Sequence, residues 1–579
     1  MRRFIVGILA IIGSITLLAC FALFWSFHRM APPSLPLLAA GDSFVLTLTL
    51  GDETLPEHPQ RGGLISLVEG NTPSVYTLVQ GINHAARDER VKGILLTLDG
   101  NALKLGTAQE IRDALKSFKA TGKFIYTYAP TFGELSNGTV NYYLAAATTK
   151  IWMMPVGALN FTGMIAEVPF AKQALEDLRI LPQMGRREEY KGMVESITES
   201  DFSAPYKENM QRLLDVLTTQ IVADVAVDRD LEVAEVRKIL DTSPYTPNHA
   251  VAARMIDHVG YKDQAQEDIE KRLGQKPIYY GFNAYTQTLK PSPGEKIAII
   301  YASGTISKGK TVRNPLLDDA VMDAPEIAKS IQEASEDKDI KAIILRIDSG
   351  GGEPIASDLI GREMERAKLK KPVIVSMSNY AASGAYWIAC SAHKILAQPG
   401  TITGSIGFFA GKIVTQGFWD HYGIHWGEVH NGNNAGIWSS GQEYSENEQQ
   451  KFNEYLDQIY NIFQEKVAHG RKLTPEKVRQ VAKGQIWTGV EAKENGLIDG
   501  LGGLNKAIET AKKEIGLAAN TPVTLVHLPA SKSVMDLIFN RTWNNESGIL
   551  APSLRMVLQR FDMVFAPPQI EMKVDELVP

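Results

Sequence analysis

The chain has 579 residues, of which 60 are basic, 66 acidic and 44% apolar, enough for several packed cores. Its near-balanced charge, with no Lys/Arg-rich block, argues against a nucleic-acid surface. The only two cysteines are Cys20 and Cys390, and Cys20 lies in an apolar N-terminal run, which argues against an intrachain disulfide.

Residues 1–3 carry Arg2 and Arg3, and Phe4 to Phe27 follow without a charged residue. A helix over 4–27 would reach about 36 Å, more than the ~30 Å hydrocarbon core of a bilayer. With no A-x-A-like cleavage site, the run predicts a single transmembrane anchor rather than a removed signal. Leu17-Leu18-Ala19-Cys20 is a poor lipoprotein box, because the apolar run continues through Trp25 and Phe27. Arg2 and Arg3 favour a cytoplasmic N-terminus and an extracytoplasmic body, with Arg29 counting the other way. Residues 28–41, with Pro32, Pro33 and Pro36, form a stiff linker.

The rest of the chain repeats itself at an offset of 242 to 249 residues. Val91-Lys-Gly-Ile-Leu-Leu-Thr-Leu-Asp99 matches Ile340-Lys-Ala-Ile-Ile-Leu-Arg-Ile-Asp348. Tyr142-Tyr143, Lys150-Ile151 and Pro155 match Tyr386-Trp387, Lys394-Ile395 and Pro399; Tyr245-Thr246, Ile256-Asp257 and Gly260 match Trp487-Thr488, Ile498-Asp499 and Gly502. Within each copy, short apolar runs such as Ile297–Tyr301 and Ala342–Ile347 predict buried parallel strands. Ser445-Glu-Asn-Glu448 predicts a capping box, followed by a helix face of Phe452, Leu456, Ile459, Phe463 and Val467. Met210, Leu214, Leu217 and Ile221 predict the same face in the first copy. The expected architecture is therefore α/β, with repeats over 42–275 and 293–515 and a tail over 516–579 of no assigned role.

No histidine pattern fits a metal site; His421 and His425 are four apart, but Gly423 interrupts them and no acid follows in register. Gly304-Thr-Ile-Ser-Lys-Gly309-Lys310-Thr311 matches the phosphate-binding pattern G-x-x-x-x-G-K-[ST]. Such a loop must open a helix near Lys310, and Asn314-Pro315 would break that helix, so nucleotide binding is not expected. Three other segments carry more chemistry: Ser349-Gly350-Gly351-Gly352 after an apolar strand, Ser383 in Tyr380-Ala-Ala-Ser-Gly-Ala-Tyr386, and Thr401-Ile-Thr-Gly-Ser405-Ile-Gly407. Taken singly, the first reads equally as a strand-to-helix turn and Ser383 as a helix N-cap.

Together these segments, with Ile486-Trp-Thr-Gly-Val-Glu-Ala492 and Asn495-Gly-Leu-Ile-Asp499, resemble the signal peptide peptidase A (protease IV) family in its long two-repeat form. The resemblance covers about residues 1–515. It implies two tandem domains of the Clp-protease/crotonase-like fold and a serine–lysine dyad needing no cofactor. Ser383 matches the nucleophile. Lys191, in Arg186-Arg-Glu-Glu-Tyr-Lys191-Gly-Met-Val-Glu195, matches the general base. Ser405 resembles the hydroxyl that orients the lysine, and the Gly351 and Gly384 N–H groups are candidates for the oxyanion hole. The repeat register sets Thr139 opposite Ser383 and the 433–435 region opposite Lys191, so each copy keeps one member of the dyad. His393 is expected to be a structural histidine.

The resemblance further implies apolar peptides, remnants of cleaved signal peptides, as substrates and a homotetramer on the outer side of the bacterial inner membrane. Two departures stand out: the turn Asp348-Ser-Gly-Gly-Gly-Glu353 lacks the family's proline, and Ala385 replaces a glycine after the nucleophile. Both are expected to bear on cleft shape. The alternatives weighed are an inactive scaffold, which the retained dyad opposes, and an acyl-CoA enzyme of the same fold, which needs no anchor.

Overall fold

The computed structural model describes residues 41–58, 72–100, 102–290, 292–309 and 321–529. The anchor expected over 4–27, the linker up to residue 40, Lys310, Thr311 and the tail from 530 lie outside the described residues. Among the described residues no helix is long and apolar enough to cross a membrane.

Eighteen strands are described: β1 (Phe44–Leu50), β2 (Val91–Leu98), β3 (Phe124–Ala129), β4 (Lys150–Met153), β5 (Leu181–Arg187), β6 (His258–Val259), β7 (Ile278–Gly281), β8 (Glu295–Ser303), β9 (Thr305–Ser307), β10 (Val321–Asp323), β11 (Ile340–Ser349), β12 (Val373–Ala382), β13 (Lys394–Ala397), β14 (Ile402–Gly404), β15 (Phe408–Val414), β16 (Ile486–Thr488), β17 (Gly500–Leu501) and β18 (Val523–Leu528). The first sheet runs β6-β4-β3-β2-β1-β7, all parallel. In the second, β17-β13-β12-β11-β8-β18 retraces that order strand for strand, also parallel. The sequence repeat is thus a repeat of topology. Because β7 and β18 are matching edge strands, the sheets reach residues 281 and 528, beyond the expected limits of 275 and 515. The first part of the expected tail is therefore an integral strand.

Helices cover both faces of each sheet, which is why β2 and β11 are buried almost throughout rather than alternating. The Glu446–Arg471 helix starts at the predicted capping box of Ser445 and Glu448. It buries Phe452, Leu456, Tyr460, Phe463 and Val467, with Ile459 only half-buried. In the Ala204–Arg229 helix the buried side is Leu213, Leu217, Ile221, Val222 and Val225, one position away from the predicted Met210 and Leu214. The predicted Leu217 and Ile221 are buried as expected, and packing decides which neighbouring positions complete the stripe that meets the core.

Among the contacts that join the repeats, two hold them over the greatest depth. β5 of the first pairs antiparallel with β15 of the second, from Arg187↔Phe408 to Leu181↔Val414. Arg346 on β11, fully buried, meets Glu57 at 2.8 Å and Glu110 at 2.7 Å, both from the first repeat. Its remaining donors reach Ser376 and Ser378 at 2.9 and 3.0 Å, so the buried charge is fully partnered. After β8 the chain enters β9, which pairs with β10. Thr305–Ser307 is therefore a strand, where a phosphate loop would lead into a helix.

Candidate active site

Ser383 sits between the end of β12 and a short helix, Gly384–Ala389. Its φ of 54° and ψ of −121° are costly for a residue with a side chain, by about 1–3 kcal/mol. The position is held by its N–H donating to Gly404 O at 2.9 Å and its carbonyl accepting from Trp387 N–H at 3.0 Å. Although Ser383 occupies the N-cap position, its hydroxyl makes no cap bond. It points instead to Lys191, whose Nζ lies 2.9 Å from Ser383 Oγ.

Lys191 follows β5, the strand that crosses to the second repeat, and is only 5% exposed. The turn carrying it is clamped from both sides. Tyr190 N–H donates to Lys483 O at 3.1 Å, while Glu195 accepts from Ser203 N–H at 2.9 Å, from Ser203 Oγ at 2.6 Å and from Arg186. Two glycines make the space: a Cβ on Gly484 would lie 2.6 Å from Lys191 N, and one on Gly407 would lie 2.4 Å from Arg187 O. Burial lowers the Lys191 pKa from 10.5 to about 7. The amine has two further neighbours, Ser405 O and Ser405 Oγ, each at 2.8 Å. Ser405, at φ 50°, is pinned by its N–H donating to Gln485 O at 2.7 Å.

These three partners can serve an ammonium or a neutral amine, and the neutral form is the one able to act as a base. It has two N–H donors and one lone pair: the donors satisfy the carbonyl and hydroxyl of Ser405, and the lone pair accepts the Ser383 O–H. A protonated lysine would donate to all three and accept nothing.

The glycine-rich turn lies against the serine, with a Cβ on Gly351 falling 2.8 Å from Ser383 Cβ. The N–H of Gly351, expected in the oxyanion hole, donates to Ser349 Oγ at 3.1 Å. The N–H groups of Gly352 and Gly384 have no hydrogen-bond partner among the described residues, and a Cβ on Gly384 would lie 3.3 Å from Gly352 N. Gly352 and Gly384 therefore offer the free donor pair, with Gly351 supporting the turn. At φ 116° and 153° both turn glycines need their missing side chains.

Of the two departures from the family pattern, Ala385 is fully buried in the second core, and a side chain at Gly350 would meet open space. His393 accepts from Val373 N–H at 3.1 Å and is structural. In the first repeat, the Thr139 hydroxyl donates to Gly163 O at 2.9 Å and accepts from Gly163 N–H at 3.1 Å. Asn141 donates to Gly100 O across the turn that corresponds to Ser349–Gly352. The hydroxyl in the register of Ser383 is thus committed to backbone groups of its own repeat. Sequence reasoning singled out the segments that hold Gly352 and Gly407 without giving either residue a role, and it missed Gly484 and Gln485, whose roles come from chain crossings that leave no local signal.

The buried lysine has a cost for folding. A depression from 10.5 to about 7 corresponds to about 5 kcal/mol. Between about pH 7 and 10.5 the unfolded state holds a proton that the folded state lacks, so stability rises with pH across that window. Below about pH 7 both states are protonated and the full penalty stands. Lys191→Met is therefore expected to be more stable than the wild type at pH 6 by about 2–4 kcal/mol, after about 1–3 kcal/mol lost with the Ser405 bonds. The gain should shrink toward pH 10. Urea unfolding at pH 6 and pH 9.5 checks this, and an equal difference at both would contradict a neutral buried lysine.

Residues 118–276 and 365–518 match peptidase family S49. The chain is 30% identical over 477 residues to the chloroplastic serine protease SPPA of Arabidopsis thaliana, spanning 80% of this chain and 69% of that one. It is 30% identical over 469 residues to Protease 4 of Haemophilus influenzae, spanning 78% and 74%. It also aligns with a point mutant of ClpP1 from Listeria monocytogenes at 16% identity, over 37% of this chain and 94% of that one, with a TM-score of 0.24.

Proposed function

The chain belongs to peptidase family S49, a serine peptidase family, and from that premise we propose that Ser383 and Lys191 form its catalytic dyad and that apolar remnants of cleaved signal peptides are its substrates. The observation that carries the reading is the 2.9 Å approach of Lys191 Nζ to Ser383 Oγ in a pocket whose burial brings the amine's pKa down to about 7.

Neutral Lys191 takes the Ser383 proton as Oγ attacks the scissile carbonyl carbon. Charge then develops on the carbonyl oxygen, where the Gly384 and Gly352 N–H groups stand free to receive it; such donors contribute about 3–4 kcal/mol. The lysine, now an ammonium, returns its proton to the leaving amine as the C–N bond breaks. An acyl-Ser383 ester remains. Water enters, Lys191 takes one of its protons as its oxygen attacks the ester carbonyl carbon, and when the C–Oγ bond breaks the ammonium returns that proton to Ser383 Oγ, releasing the free acid and restoring the neutral lysine. Ser405 holds the amine's two other bonds, so that its lone pair stays aimed at Ser383. No single repeat holds the whole of this machinery: the first supplies Lys191, and the second supplies Ser383 and Ser405.

The apolar run 4–27 supports an anchor in the bacterial inner membrane with the two repeats on the extracytoplasmic side, and the homotetramer in this reading rests on the family resemblance alone. This placement brings the site to peptides that are themselves apolar and membrane-derived. The test is incubation of the full chain in detergent with a synthetic signal peptide and with a polar peptide of equal length, products being read by mass spectrometry. Preferential cleavage of the signal peptide is expected, and equal cleavage of both would remove the substrate assignment.

A further inference from the structure

The register between β11 and β12 breaks immediately before the site. Ile347 pairs with Met377, and the next pair is Ser349 with Ala381. Asp348 thus stands opposite Ser378, Asn379 and Tyr380, and the bulged strand is left with N–H groups that the ladder does not use. Asp348 Oδ1 accepts from Asn379 N–H at 3.1 Å and from Tyr380 N–H at 3.0 Å, and Oδ2 accepts from Asn379 Nδ2 at 3.3 Å. Bulges bend a strand and re-aim the residues beyond them. Before the bulge β12 pairs with β13; after it Tyr380–Ala382 pair with β14 and deliver Ser383. Asp348 also leads directly into the Ser349–Gly352 turn. One carboxylate therefore braces both the segment that carries the nucleophile and the turn opposite it.

The brace reaches the first repeat through Asn379, which is 6% exposed. Asn379 Oδ1 accepts from Thr107 N–H at 2.9 Å, and Asn379 Nδ2 donates to Thr107 Oγ1 at 2.9 Å. Thr107 lies in the first turn of the Leu105–Lys119 helix, where backbone N–H groups have no intrahelical partner. Asn379 thus caps a helix of the other repeat. The approach is close enough that a Cβ on Gly106 would lie 2.9 Å from Ser378 O. Two residues on, Gln109 Oε1 accepts from Gly400 N–H at 2.7 Å, at the turn entering β14. β14 in turn supplies Gly404 O, which holds the Ser383 N–H.

We propose that Asp348 and Asn379, backed by Thr107 of the first repeat, are positioning residues that set the Ser383 elbow against the Gly351–Gly352 turn. The first repeat then governs turnover in two ways, by supplying Lys191 and by holding the bulge. Neither Asp348, Asn379 nor Thr107 has a hydrogen bond to Lys191, Ser383 or Ser405 among the described residues, so their influence is on geometry. The proposal rests on the serine–lysine reading above.

The test uses the full chain with an apolar peptide ester, and counts competent sites by titration with a peptidyl fluorophosphonate. Asp348→Asn keeps an oxygen for the two backbone N–H groups but sets an amide against Asn379 Nδ2. Thr107→Val keeps shape and removes the hydroxyl. Per titrated site, kcat is expected to fall about 10- to 100-fold in Asp348→Asn and about 3- to 10-fold in Thr107→Val, with KM within about 3-fold, since small misplacements cost rate rather than binding. Thr107→Ser should restore the wild-type rate, and the rise in rate near pH 7 should stay in place because the Lys191 pocket is untouched. Fewer titratable sites with unchanged turnover at each, unchanged rates throughout, or a displaced pH limb would each overturn the proposal. If the wild type takes no label at Ser383, the dyad itself fails and this inference with it. If the wild type labels and the variants match it site for site, only the positioning role is lost.

Discussion

Lys191→Ala is expected to lower kcat/KM for an apolar peptide ester by about 10²- to 10⁴-fold, the scale of a positioned general base. The variant should also lose the acid limb of the pH–rate profile. In the wild type, burial holds Lys191 at about pKa 7, so the fraction carrying a free lone pair rises through that pH. Rate should therefore climb about tenfold per pH unit below 7 and level off above it. With alanine no group of that pKa remains next to Ser383 Oγ, and the residual rate should rise only with hydroxide. The measurement is kcat/KM from pH 5 to 9 for both proteins. A wild-type limb near 7 that persists in Lys191→Ala would assign the proton acceptor elsewhere.

Ser383→Ala is expected to bring hydrolysis to background, a loss of about 10⁵- to 10⁶-fold, because no acyl-enzyme can form. The double variant with Lys191→Ala should be no worse, since nucleophile and base act as a unit. The two-repeat geometry adds a sharper expectation. Lys191 and Ser383 meet within one chain, through the β5–β15 pairing and the Arg346–Glu57–Glu110 cluster. Co-expressing Ser383→Ala chains with Lys191→Ala chains should therefore restore no activity, even in mixed assemblies. Recovery toward a quarter or a half of the wild-type rate would mean that the dyad forms between subunits.

The conformation of Ser383 also accounts for the glycines around it. Ser383 needs an unfavourable φ, Gly351 abuts its Cβ, and Gly352 passes so close to Ile306 that a Cβ would lie 2.2 Å from Ile306 O. Strain at the elbow is sustained by the bonds behind it, from Gly404 on β14 and Asp348 on β11. Removing the site residues should leave that frame standing, which is why the variants above read chemistry rather than folding.

Much was legible from local pattern alone. The offset between Val91–Asp99 and Ile340–Asp348 revealed the duplication, since strands buried on both faces write themselves as apolar runs. The Ser445–Glu448 cap and the helix after it could be read because capping and helical periodicity act over a few residues. Ser383, Lys191 and Ser405 were picked out by the resemblance of their segments. Nothing near Lys191 in the chain said that it would be buried or uncharged. That required Gly407 and Gly484, more than two hundred residues away, to vacate the space that its turn fills. Tertiary structure likewise decided that β18 belongs to the second sheet, that the Ala204–Arg229 helix turns Leu213 inward, and that Gly351 spends its N–H on Ser349. Each of these depends on which distant backbone lies alongside. Periodicity and capping are properties of neighbours in sequence, whereas burial, hydrogen-bond satisfaction and a shifted pKa are properties of neighbours in space.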